Sequence, residues 1–99
     1  MIRKHNTDRN GSSWSEQTKL LVWQKGIIVD GFDPRVVRKD KCGFIMKYSE
    51  HGNRNSDKGW EIDHIKAVAN GGTDEMYNLQ PLHWRNNSAK GDKVTWNCG

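Results

Sequence analysis

The chain predicts a small α+β domain, and three observations carry that prediction. Its 99 residues suffice for one domain and are too few for two. Two short segments that mix apolar and polar residues, Trp60 to Ile65 and Leu79 to Leu82, are bounded by turns rich in glycine and asparagine, as short strands are. Helical signals lie outside them, a cap near Ser13 and a polar segment running from Trp84 to about Lys93.

The elements follow in order. Residues 1–13 are polar and basic and show no period, so they are expected to form a flexible basic arm, with one domain over residues 14–99. Ser13 followed by Glu16 resembles a capping box, opening a helix to about Lys25. Leu20, Leu21 and Trp23 would face the core, and Gly26 would end the helix. Asp33-Pro34 reads as a cap with proline at the first helical position, giving one short turn over 34–39. Cys42 to Met46 reads as a short strand, and the polar run to Gly59 as turns leading into the strand at Trp60. Asn70 to Asp74 is a loop, and the strand Leu79 to Leu82 and the final helix follow it.

Composition narrows the function. Hydrophobic residues make up 33% and charged residues 28%, so the chain is rich in surface, with five Trp available to fill a core. The formal net charge of +4 suits a polyanionic partner, although charge alone is a weak argument. Cys42 and Cys98 form no CxxC pair, and a disulfide between them is allowed but not indicated. No apolar run approaches the roughly 18 residues of a membrane span, and no signal peptide is visible. A cytoplasmic protein with no membrane partner is the expectation.

The stretch that carries chemistry is WEIDHIKAVANGGTDEMYNLQPLHWRNNSAKGDK, residues 60–93. Asp63-His64 closes one strand, and Asn78 opens the next. At 100° per residue His83, Asn87 and Lys90 fall at about 0°, 40° and 340°, sharing a face if the helix reaches back to His83. The spacing permits a carboxylate, an imidazole, an amide and an amine to meet. An imidazole titrates close to neutral pH, which suits His64 as a general base. Asp63 and Asn87 offer hard oxygen donors suited to Mg²⁺ or Mn²⁺. His83 stays open between metal ligand, phosphate donor and packing residue. Glu61 lies on the Asp63 side of its strand, as an added carboxylate or, by default, half of an ion pair. Arg54, Lys58, Lys66 and Arg85 are candidates for a phosphate track, with solvated charge as the default for each. Trp60 and Trp84 are expected in the core.

Asp-His-Ile, then Gly-Gly, then Asn-Leu-Gln-Pro-Leu, then Asn-x-x-Lys resembles the HNH endonucleases of the ββα-metal superfamily. His64, Asn78 and Asn87 occupy the three lettered positions, with Asn in place of the final His. The resemblance is sharp over 60–92 and looser from about 40. It implies a ββα-metal domain at about 60–93, here with an added N-terminal helix and short strand. It also implies a metal-dependent endonuclease acting on DNA, with Mg²⁺ the first choice of cofactor. His64, Asn78 and Lys90 would then belong to the catalytic set, and Asp63, Asn87 and His83 to the metal. Asn78 would hold the loop that aims His64, and Lys90 would contact phosphate or steady the metal-site loop. Many relatives carry a zinc knuckle of two CxxC pairs, but Ile45, His83 and Asn86 stand here at positions where such cysteines would fall. No structural zinc is therefore expected. Two other classes compete: a non-catalytic nucleic-acid-binding module or partner-dependent subunit, and a small structural or toxin-like interaction protein.

Overall fold

A computed structural model of the chain describes residues 6–98. Helix α1 (Glu16–Trp23) is followed by strands β1 (Ile27–Ile28), β2 (Val37–Lys39) and β3 (Ile45–Lys47). Strands β4 (Trp60–His64) and β5 (Leu79–His83) and helix α2 (Trp84–Lys90) complete the chain. β1, β2 and β3 form one antiparallel sheet in that order, and β4 and β5 form a second.

α1 begins two residues later than the sequence suggests. Ser15, not Ser13, is the N-cap, its hydroxyl accepting the Thr18 N–H at 3.1 Å. Val22 and Trp23 enter the core, whereas Leu20 and Leu21, which the sequence reading placed there, stay about half exposed. Arg38 caps the far end, its guanidinium donating to the carbonyls of Gln24 and Gly26. The turn expected after Asp33-Pro34 forms, but it ends at Val36, and β2 takes residues 37–39. The single upstream strand of the sequence reading is thus one of three. β1 and β2 were not foreseen because strands of two or three residues leave almost no periodic signal.

The core is a cluster of Val22, Trp23, Met46, Trp60, Ile62 and Leu79, with Trp14, Tyr48 and Met76 packed against it. The Trp23 and Trp60 rings lie 5.0 Å apart. Each indole N–H finds a carbonyl, Trp23 on Pro34 and Trp60 on Tyr48, so their burial leaves no orphaned donor. Trp60 is core as expected, whereas Trp84 is half-buried, its N–H on Ser56.

Two links tie β2, β3 and the turn between them to the second half of the molecule. Asp40 is buried, and its carboxylate accepts four hydrogen bonds: Cys42 and Phe44 N–H on one oxygen, His83 N–H and the Asn86 side chain on the other. It joins the segments that a zinc knuckle would join. Cys42 and Cys98 form a disulfide with a Cα–Cα distance of 5.4 Å, the bond that the sequence allowed without indicating. Fifty-six residues separate the two cysteines, so only the tertiary path of the tail brings them together.

Of the expected basic arm, residues 1–5 lie outside the described residues. Residues 6–13 are held against the domain. The Asp8 carboxylate organises a turn by accepting Asn10 and Ser12 N–H, Thr7 is buried, and the Asn6 side-chain oxygen accepts the Ile62 N–H at the edge of β4. A β4 edge left bare would present unpaired donors, and Asn6 satisfies one of them.

His51 packs its ring 4.7 Å from Trp60, and its Nε2 accepts from Asn6 at 3.1 Å. Burial, with the Lys19 ammonium nearby, pushes its pKa down to about 4, against a weaker upward pull from Glu61 and Glu16. The unfolded chain protonates this ring near pH 6.5 and the folded one only near 4. His51 therefore contributes stability above pH 6.5 that is lost as pH falls toward 4. Its ring should titrate near 4 by two-dimensional NMR, and His51→Gln should flatten the melting temperature across that window. Titration of His51 above pH 6 would refute this.

Candidate active site

The site forms where β4, β5 and α2 meet. β4 is buried at all five positions. Its alternation sends Trp60 and Ile62 into the core and turns Glu61 and Asp63 toward α2. β5 returns antiparallel, with His64 opposite Leu79 and Asp63 opposite Gln80. Between the strands the chain makes 3-10 turns at Val68–Asn70 and Met76–Asn78. At Gly72 a Cβ would lie 1.7 Å from the Lys66 carbonyl oxygen, so only glycine permits that close approach.

Asp63, His64 and Asn87 line one cavity of about 110 Å³, together with Asn6, Ala67 and the segment Gly91–Asp92. The convergence that the spacing only permitted is thus present. Asp63 is buried, its oxygens engaged by Gln80 at 2.8 Å and by the Lys90 ammonium at 3.2 Å. Burial pushes the Asp63 carboxyl up from the ordinary range, against the opposing pull of Gln80 and Lys90. Lys90 is itself buried and also donates to the His64 carbonyl at 2.9 Å, so it ties α2 to the end of β4 and does not face solvent.

Asn78 is buried and uses its whole amide on the loop. Its oxygen accepts the Lys66 N–H at 2.7 Å, and its nitrogen donates to the carbonyls of Lys66 and Thr73. It thus pins both limbs of the loop that follows His64. Asn87 donates its amide nitrogen to Glu61 at 2.8 Å, so its side-chain oxygen is not used in that bond. Glu61 is fully buried and takes a two-pronged ion pair from Arg54 at 2.7 and 2.8 Å. Its default role as half of an ion pair is the one seen, except that the Glu61 carboxylate is buried and also orients Asn87.

Other candidates fall elsewhere. His83 is not on the helix: its backbone is extended, and it caps α2, with Nδ1 accepting the Arg85 N–H and Nε2 on the Asp57 carbonyl at 2.6 Å. Both ring nitrogens are used, and the ring does not line the cavity. The shared-face argument therefore holds for Asn87 and Lys90 but fails for His83. Arg54 is committed to Glu61. Arg85 lies over the Trp84 ring near Asp57. Lys58 and Lys66 are exposed.

Sequence reasoning missed Asp74, whose carboxylate lies 2.7 Å from His64 Nε2. It also missed Gln80 and Asn6. The available signal for Gln80 was its place beside Asp63 in a two-stranded register; for Asp74 there was only its position after the paired glycines.

The HNH endonuclease family model matches residues 42–93, just over half of the chain. The chain belongs to the HNH endonuclease family, and its two helices with two small antiparallel sheets are consistent with such a domain. No curated protein and no solved structure matches it. An HNH domain implies a nuclease, a hydrolase whose substrate is nucleic acid.

The donor set can be tested against a divalent cation. Among the described residues no group of three or more His, Cys, Asp or Glu is placed to hold an ion. Asp63 and Asn87 line a cavity with room for several waters, and both Asp63 oxygens already accept hydrogen bonds, from Gln80 and Lys90. So small a donor set does not fit a closed structural site, and any divalent cation held there would keep most of its water.

Proposed function

We propose that this protein is a metal-dependent endonuclease that hydrolyses phosphodiester bonds in DNA, with β4, β5 and α2 as its ββα-metal motif. The single observation that supports this most is the convergence of Asp63, His64 and Asn87 on one cavity in a chain of this family. His64 accepts a proton from water as the water oxygen bonds to phosphorus. The bond from phosphorus to the 3′ oxygen then breaks, and that oxygen leaves and takes a proton from solvent. A divalent cation held by Asp63 and Asn87 would supply charge stabilisation to the phosphate and the leaving oxygen. Asn78 holds the loop after His64, and Lys90 offsets the buried charge of Asp63. Exposed Lys58, Lys66 and Arg85 contact phosphates.

Supercoiled plasmid should be nicked or linearised with Mg²⁺ or Mn²⁺. EDTA should stop cleavage yet leave circular dichroism and melting temperature almost unchanged, because the Asp40 and disulfide links need no ion. Binding without cleavage across several divalent metals would favour the non-catalytic module. Unfolding in EDTA would reveal a structural metal. The proposed place of action is the cytoplasm. A Cys42–Cys98 bond found oxidised when thiols are trapped in whole cells would move the protein to an oxidising compartment.

A further inference from the structure

Asp74 enters the site from the loop between β4 and β5, ten residues after His64. Its carboxylate oxygen meets His64 Nε2 at 2.7 Å, and the same carboxylate accepts the backbone N–H of Arg9 at 3.0 Å. Asn78 fixes the loop one residue away by donating to the Thr73 carbonyl at 2.8 Å. The His64 side chain is only 4% exposed, and the Trp14 ring tilts over it at 5.5 Å. The imidazole is therefore held by a carboxylate on one nitrogen and an indole against its ring.

A carboxylate has no proton to donate at neutral pH, so the partner nitrogen must carry one. A neutral imidazole with its proton on Nε2 has its lone pair on Nδ1, and which nitrogen carries the proton is set by the hydrogen bond that the other group imposes. A general base of the wrong tautomer points a proton at the water that it should deprotonate. We infer that Asp74 is a positioning residue for His64, fixing the Nε2–H tautomer and the ring plane so that Nδ1 is the proton acceptor. The Arg9 N–H in turn fixes Asp74, which gives the segment before α1 a part in the site.

This rests on the reading of His64 as the general base, and the test separates the two. Full-length protein labelled with ¹⁵N in histidine reports the tautomer directly at a pH where the ring is neutral, with no need for activity. Wild type should show His64 as Nε2–H, and Asp74→Ala should show a mixture or Nδ1–H. In plasmid cleavage Asp74→Ala should lower kcat at least about ten-fold with KM within about two-fold, since the lost interaction acts on the chemical step. Asp74→Glu should recover part of that loss. Were Asp74 only a staple for the segment before α1, its removal would lower the melting temperature and leave tautomer and kcat unchanged. That result would overturn the inference, as would an Nδ1–H tautomer in wild type. An inactive wild type with an Asp74-dependent tautomer would sink the nuclease reading alone.

Discussion

Replacing His64 by Ala should reduce DNA cleavage by at least about 10²-fold while leaving DNA affinity nearly unchanged, the range expected when a general base is removed. The reason is geometric. Nε2 is occupied by Asp74, His64 lines the cavity, and phosphate contacts are assigned to exposed lysines and not to this ring. The loss should appear in kcat, because the imidazole acts on water in the chemical step and adds little to ground-state binding. His64 is buried beside Trp14, so the substitution also removes packing. His64→Gln, closer in volume, is the control, and both variants should be compared at equal folded fraction by circular dichroism. Cleavage by either within a few-fold of wild type would remove His64 from the role of base.

Loss of the Cys42–Cys98 bond should be the largest single stability change. Fifty-six residues separate the cysteines, and the chain-entropy relation for a loop of that size gives roughly 4 kcal/mol. A domain of this size has a total of only about 5–15 kcal/mol. Among the described residues the other bonds to the closing segment are few: Gly91 N–H on Asn87, Asn70 on the Asp92 carbonyl, Lys93 N–H on Lys90 and its ammonium on the Ala89 carbonyl, and Lys41 over the Trp96 ring at 5.3 Å. Residues 91–95 are all exposed. Urea denaturation of the Cys42→Ser, Cys98→Ser double variant should show a midpoint well below wild type, and a reducing agent should reproduce it. Because Gly91 and Asp92 line the cavity, cleavage should also weaken, by less than on loss of His64. A stability change below about 1 kcal/mol would mean that the reduced chain is already restrained, and that the loop-entropy account fails here.

Much of the site was legible before the fold because its information is local. Trp60 to His64 alternates as a strand, Gly71-Gly72 marks the turn, and Asn87 and Lys90 are three apart on a short helix. Such spacings survive folding, and the resemblance to HNH endonucleases that they carry is what named Asp63, His64, Asn78, Asn87 and Lys90 as a group. The same local logic misplaced His83 by one residue. Whether a helix starts at 83 or 84 is decided by which side chain caps it, and here His83 itself does so.

What the sequence by itself determined is the α+β class, the β4–loop–β5–α2 order and the short motif that identifies the family. What only the tertiary structure decided is the pairing of groups distant along the chain: Asp74 with His64, Arg54 with Glu61, Asp40 with His83 and Asn86, Cys42 with Cys98. Strand and turn preferences act between near neighbours, whereas a buried carboxylate must find whichever donor the packed core brings within reach. Asp40 and Glu61 look like ordinary surface charges in the sequence. Each is 1% exposed in the fold, and burial is what obliges each to find donors on segments distant along the chain.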